Sequence, residues 1–231
     1  MNWHIEVSKS TLDLNAWPAR ISIPVPRGKK TGGFSVRSPD GKAVAAQART
    51  LTNWPDGSPR WVQLDFQAHA EGPHEVSDSA TSEMRVTEAV QCSHKAKRLT
   101  VTIGRMKAEL DPAVPGGVAD IEWNGKPITA ATPFRFTVTG VDETRYEAGP
   151  ALGSFKIEAQ GPQRLQVSWD AIHADPRGKR LLDIRFRLEF LAGIEGFSLS
   201  YQFFHKLPGH DRLDVAGIDA VLAAGVRAIA R

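Results

Sequence analysis

The chain has 231 residues, of which 41% are hydrophobic and 24% are charged, a balance typical of soluble globular proteins. The formal charge is only +3, and the Lys and Arg residues are scattered beside acidic ones, which argues against a nucleic-acid partner. The single cysteine, Cys92, excludes an intrachain disulfide and favours a reducing compartment.

The N-terminal residues MNWHIEVSKS have neither the apolar core nor the charge pattern of a signal peptide. No apolar run approaches the roughly 20 residues that a membrane-spanning helix needs. We therefore predict a cytoplasmic protein with no membrane partner, unless a leader lies outside this chain.

Alternation of apolar and polar residues predicts β-strands along most of the chain. Turns are indicated between them, with Asn124-Gly125 favouring a tight hairpin because both residues tolerate positive φ. We expect an all-β fold of the sandwich or barrel type. The alternating segments are 20–25, 61–66, 99–103, 134–138, 165–169, 183–190 and 197–203.

One strand pair is predicted in more detail. Segments 183–190 and 197–203 each carry four large apolar residues at every second position, and the short connection LAGIEG holds two glycines. Such a connection suits a hairpin. We expect these two strands to be antiparallel neighbours and to supply much of the core of their domain.

Two other segments depart from the alternating pattern. Residues 71–96 are polar and rich in Ser and Thr, which predicts a linker or loose hairpin and a domain boundary near residue 90. The C-terminal tail is rich in Ala and has apolar residues at near-helical spacing. We interpret this pattern as a short helix over 216–230. The predicted domains are thus 1–90 and 91–231.

The first of these domains resembles a known family. Its motifs are ARISIPVPRG, SPDGKAVAAQ and NWPDGSPRWVQLDF, in that order. They are similar to the N-terminal RIFT-type barrel of the PcRGLX/YetA-like family, which includes a fungal exo-rhamnogalacturonan lyase. Pro59 departs from the family pattern, in which Val or Ile is usual. The residues that match are Pro24, Pro26, Arg27, Gly28, Gln47, Trp54, Pro55, Asp56, Gly57, Ser58, Arg60 and Trp61.

The second half resembles the β-sandwich that follows this barrel in the family, and that sandwich looks related to galactose-mutarotase-like domains. The match is carried by Gly161-Pro162-Gln163-Arg164 and Ala192-Gly193. In the family a helical toroid comes next and forms much of the active-site cleft. This chain ends before such a domain, so we expect a separate helical domain as a partner and do not expect the chain to be catalytic alone.

Trp54 and Trp61 flank the turn at Pro55-Asp56-Gly57. Trp61 is predicted to share the polar face of its strand with Gln63 and Asp65, where an indole either packs against another domain or offers a stacking surface to a sugar. Trp54 is expected to staple the hairpin. The candidate substrate-binding residues are Trp61, Trp54 and Arg60.

The densest polar cluster runs from His205 to Arg212. His205, His210 and Arg212 have the chemistry of a lyase, which needs a cation to neutralise a uronate and a base to remove its C5 proton. A metal site and a solvated loop are the alternatives. Asp170, His173 and Asp175 form a weaker candidate group in a predicted hairpin loop.

The resemblance implies the β portion of a rhamnogalacturonan- or pectin-type polysaccharide lyase-like protein, associated with a polysaccharide or oligosaccharide. The alternative is a structural or interaction protein with no affinity for sugars. No cofactor or metal is predicted, because the sequence contains no phosphate loop, nucleophile elbow, CxxC or HExxH motif.

Overall fold

The computed structural model describes residues 2–8, 16–29, 33–79, 86–204 and 214–224. Within these residues the chain forms strands and turns and no helix, so the predicted all-β class is confirmed. None of the described residues forms a helix able to cross a membrane. The chain divides into two compact units, which are described separately.

The first unit comprises Met1–Val90 together with two later segments, Ala159–Leu165 and Leu191–Ile194. After Val90 the chain thus returns to the first unit twice. The strands of its N-terminal stretch are β1 (Asn2–Val7), β2 (Trp17–Pro24), β3 (Ser35–Arg37), β4 (Ala43–Val44), β5 (Ala46–Asn53), β6 (Pro59–Ala68) and β7 (Gly72–Ser77).

These strands form a sheet of order β1-β7-β3-β4 and a second sheet of order β2-β6-β5. Both sheets contribute to one apolar core, in which Val62, Leu64 and Phe66 of β6 are buried beside Val36 and Val76. The period of two in β6 thus places every second side chain in the core and leaves the alternate ones on the outer face. That outer face carries the candidate site.

Most of the remaining described residues belong to the second unit. One sheet has the order β12-β11-β10-β9-β8, and the other has the order β18-β17-β16-β14-β13-β19, with β15 paired to β16. The strands are β8 (Gln91–Lys95), β9 (Arg98–Ile103), β10 (Met106–Leu110), β11 (Val118–Trp123), β12 (Lys126–Pro127), β13 (Thr129–Gly140), β14 (Arg145–Ala148), β15 (Lys156–Gln160), β16 (Arg164–Ala174), β17 (Arg180–Leu191), β18 (Ser198–Phe204) and β19 (Val215–Ala224).

The predicted hairpin of the second unit is confirmed. Strands β17 and β18 pair antiparallel, with Ile184 opposite Phe203, Phe186 opposite Tyr201 and Leu188 opposite Leu199. The β17 side chains at 184, 186, 188 and 190 are buried, and the Phe186 ring lies 4.8 Å from that of Phe136 and 5.3 Å from that of Trp169. Phe203 is 51% exposed and so does not share in this core.

The prediction of a C-terminal helix is wrong, and the predicted linker 71–96 is partly strand. Val215–Ala224 is strand β19, antiparallel to β13, and not part of a helix, because β13 offers it a backbone ladder that outweighs the weak helical spacing. Residues 225–231 lie outside the described range. The polar stretch 71–96 holds strands β7 and β8 at its ends, and in β7 the inward positions His74 and Val76 are fully buried.

Candidate functional site

The candidate site lies on the outer face of the sheet β2-β6-β5. Trp61, Gln63, Asp65 and Gln67 of β6 point to this face, since they alternate with the buried core residues. Their exposure increases along the strand: Gln67 and Asp65 are buried, Gln63 is half-buried, and Trp61 is 40% exposed. The face therefore has a closed end at Gln67 and an open end at Trp61.

A carboxylate at the closed end is held by two guanidinium groups. The Nε of Arg20, on β2 directly opposite Asp65, donates to Asp65 Oδ1 at 2.7 Å. A guanidinium nitrogen of Arg164 lies 3.7 Å from Asp65 Oδ2, and both side chains of that pair are at most 5% exposed. Asp65 was predicted to lie on the polar face of β6, and the structure buries it there beside Arg164.

Gln63 extends this network toward Trp61. Its Oε1 accepts a hydrogen bond of 3.0 Å from Arg49 on β5 and one of 2.9 Å from Arg164. Three guanidinium groups thus surround one carboxylate and one amide oxygen. The acceptor groups hold these guanidinium groups in fixed orientations.

Gln47 ties the segment 161–164 to this sheet. Its Oε1 accepts from the backbone N–H groups of Gln163 and Arg164, both at 3.0 Å, and its Nε2 donates to the Arg164 carbonyl oxygen at 3.2 Å. Gln163 Nε2 in turn donates to the Ala45 carbonyl oxygen at 2.8 Å. These bonds fix the backbone that presents the Arg164 side chain.

The open end is formed by one cross-strand row. Pro24 of β2 and Thr52 of β5 lie on either side of Trp61, and both are exposed. The next row along the face contains Ser22, Gln63 and Arg49. A bulge in β5 between Thr50 and Thr52 separates the two rows. The exposed indole of Trp61 and the side chain of Arg49 therefore belong to neighbouring rows of the same face.

The other two predicted substrate-binding residues are on the opposite side of β6. Arg60 points to the same side of β6 as the core residue Val62, because the two are separated by two positions. Its guanidinium carbon lies 4.7 Å from the centre of the Trp54 ring. The Trp54 indole N–H donates to the Val25 carbonyl oxygen at 2.9 Å, which ties the turn between β5 and β6 to the residue that follows β2. Trp54 and Arg60 therefore do not form one platform with Trp61.

Asp56 stabilises the adjoining turn. Its Oδ1 accepts from the Ser58 hydroxyl at 2.6 Å and from the Ser58 backbone N–H at 3.0 Å, while Arg27 is 3.2 Å from Oδ2. The bonds from Ser58, with a smaller effect of Arg27, hold the pKa of the Asp56 carboxyl below its usual range. An ionised, turn-bound carboxylate of this kind is structural.

The lyase-type candidates His205, His210 and Arg212 lie outside the described residues. Of the weaker group, Asp175 accepts backbone hydrogen bonds from Arg177 and Lys179 within its own turn, and Asp170 pairs with Arg185. His173 is fully buried, so the three residues do not form a catalytic group. Among the described residues no group of His, Cys, Asp or Glu has the arrangement of a metal site.

His173 forms a buried pair with Tyr201. Its Nδ1 is 3.0 Å from the Tyr146 carbonyl oxygen and therefore carries the proton, so its Nε2 accepts from the Tyr201 hydroxyl. Burial lowers the pKa of His173 and raises the pKa of Tyr201 to about 12. Both side chains are uncharged at neutral pH, consistent with a structural pair in the core.

Sequence reasoning missed the arginines of the site. Arg20, Arg49 and Arg164 are far apart in the chain and carry no motif that joins them. Two parts of the network did stand out in the sequence, Gln47 and Gly161-Pro162-Gln163-Arg164, although nothing there indicated that they meet. Comparison of the chain with models of known families and with curated proteins gave no match.

Proposed function

We propose that the chain is the β portion of a rhamnogalacturonan- or pectin-type polysaccharide lyase-like protein, and that the Trp61 face binds an acidic glycan. In this proposal the first unit is a RIFT-type barrel and the second is a galactose-mutarotase-like sandwich. The observation that carries the proposal is the position of the exposed Trp61 indole beside a cluster of three guanidinium groups on one sheet face.

The two parts of this face fit two parts of a uronate residue. The C–H face of a sugar ring packs on an indole, as apolar groups do on aromatic rings. A carboxylate is attracted to guanidinium groups, which can bind it through two parallel N–H donors. Arg49 is the guanidinium nearest to Trp61 in the strand register, so it is assigned to the carboxylate.

A structural role for the same face is the second candidate. Asp65, Gln67 and Arg164 are buried, and their contacts join segments of the first unit that are distant in sequence. A face built only for such contacts has no affinity for sugars. Trp61 separates the two candidates, because its exposed indole contributes little to a purely structural network.

The test is isothermal titration calorimetry, in which the protein is titrated separately with a galacturonate oligosaccharide and with a neutral galactan oligosaccharide. The acidic ligand should bind more tightly, and its affinity should fall with added salt. Trp61→Ala should weaken binding about tenfold or more, which corresponds to about 1.4 kcal/mol. Arg49→Gln should reduce the preference for the acidic ligand.

Trp123→Ala is the matched control, since Trp123 is a half-buried indole of the second unit that is stacked on Arg105. It should leave binding unchanged. Equal affinity of wild type and Trp61→Ala, or no binding of the acidic ligand at all, would favour the structural role. In either case, incubation with rhamnogalacturonan oligosaccharides should give no rise in the ultraviolet absorbance of unsaturated uronates.

A further inference from the structure

A pocket of about 290 Å³ lies in the second unit and is independent of the Trp61 face. Its floor is the outward face of strands β16, β17 and β18. Asp170, Asp183 and Arg185 point outward there, because they alternate with the buried residues Ala171 and Ile184. A volume near the lower end of the range for ligand sites suits a single small ring.

Two apolar side chains form walls above this polar floor. Leu152 is 61% exposed and Phe204 is 39% exposed, and both line the pocket. The Leu152 backbone N–H donates to the Asp170 carbonyl oxygen at 2.8 Å, which fixes one wall beside β16. Phe204 is directly opposite Asp183 in the β17–β18 register, which fixes the other wall on the same face.

The charges of the floor are balanced in pairs. Arg185 donates to both oxygens of Asp170, at 2.7 and 3.1 Å, and Arg180 donates to Asp183 at 2.6 Å. Each carboxylate is therefore held in a fixed orientation by a guanidinium of opposite charge. These four described residues carry two positive and two negative charges, so together they give the pocket floor no net attraction for an anion.

We propose that this pocket binds one neutral, hydroxyl-rich ring of about the size of a monosaccharide. The oriented carboxylates accept hydrogen bonds from the ring hydroxyls, and Phe204 and Leu152 pack against its C–H groups. The ligand class follows from the combination of balanced charge, acceptor groups and apolar walls. The site does not depend on glycan binding by the first unit.

Saturation-transfer NMR tests the proposal with the methyl pyranosides of galactose, glucose and mannose, and with galacturonic acid as the charged counterpart. We expect transfer to the ring C–H protons of at least one neutral glycoside, and a weaker signal for galacturonic acid. Phe204→Ala and Leu152→Ser should each reduce the signal at least fivefold. Amide spectra of both variants should match that of the wild type, which verifies their fold.

Phe203→Ala is the matched control, because Phe203 is an exposed phenylalanine on the other face of the same strand. It should retain the signal, and Trp61→Ala should retain it too, which separates this site from the Trp61 face. The proposal is overturned by the absence of transfer to all three neutral glycosides. It is equally overturned by an undiminished signal in both pocket variants, or by a preference for galacturonic acid.

Discussion

Gln47 and Gly161 are in such close contact that a methyl group added at Gly161 would collide with the side-chain amide of Gln47. That same oxygen accepts the backbone N–H groups of Gln163 and Arg164. The absence of a side chain at position 161 is thus what allows Gln47 to reach the backbone that carries Arg164.

Gly161→Ala should displace the Gln47 amide and break its hydrogen bonds. Loss of buried hydrogen-bond partners costs about 1–3 kcal/mol, so the free energy of unfolding should fall by about that amount. Chemical denaturation measures it. Gly153→Ala is the control, since nothing lies within 4 Å of an added methyl group there. Equal stability of the two variants would show that Gln47 moves aside without cost.

Asp65→Asn should be strongly destabilising, because it removes the buried carboxylate that lies between the guanidinium groups of Arg20 and Arg164. Removing one partner of a buried ion pair costs about 3–5 kcal/mol. Asp56→Asn provides the comparison, since its pair with Arg27 is exposed, and such pairs contribute about 0–1 kcal/mol. Urea unfolding of both variants should give the larger loss for Asp65→Asn, and the reverse order would contradict the assigned network.

The stability of the fold should depend on the charge of His173 between neutral and mildly acidic pH. Its pKa is lowered by burial, so the unfolded chain binds the proton more readily than the folded one. The stability contributed by neutral His173 is fully present above about pH 6.5, the pKa of histidine in an unfolded chain. As the pH falls below that value this contribution is lost, and the free energy of unfolding decreases by at most about 1.4 kcal/mol per pH unit. Unfolding should be followed at pH 7.5 and 5.5, where His173→Gln should show a smaller decrease than the wild type.

Removal of residues 215–231 should destabilise the second unit as severely as a core substitution. Strand β19 is paired with β13 along most of its length. Each backbone hydrogen bond makes a net contribution of about 0.5–1.5 kcal/mol to stability. Phe186→Ala, which empties the centre of the aromatic cluster, should cost about 3–5 kcal/mol. Denaturation curves compare the two, and a truncated chain as stable as the wild type would show that β19 adds nothing.

Ile218→Thr is the control for that truncation. Ile218 is 41% exposed, so the substitution leaves the β13–β19 ladder in place and should change the free energy of unfolding by about 0.5 kcal/mol or less. A large loss in this variant would mean that the apolar side chains of β19, and not its backbone pairing, stabilise the sheet.

The parts of the fold that follow from local pattern were predicted from the sequence. The alternation in 183–190 and 197–203 was enough to identify β17, β18 and their pairing, because one face of each strand is apolar. Strand β19 was missed because its run of Ala and scattered Val and Ile residues has no clear period of two. Its state is decided by its partner β13, which is more than 70 residues away.

The site was less predictable, for a related reason. The outward directions of Trp61 and Asp65 followed from the alternation of apolar and polar residues along β6. Burial of Asp65 depends on Arg164, and neither residue carries a local signal of the other. Arg60 and Trp61 were both named as substrate-binding residues, but adjacent residues on a strand point to opposite faces.

The return of the chain to its first unit at Ala159–Leu165 and Leu191–Ile194 has a consequence for biosynthesis. Arg164 follows its partner Gln63 by 101 residues, so at about 5–20 residues per second the ribosome makes it roughly 5–20 s later. Throughout that interval the emerging N-terminal stretch holds Asp65 without its second guanidinium. The contacts of the first unit are therefore completed only after a large part of the second unit has been synthesised.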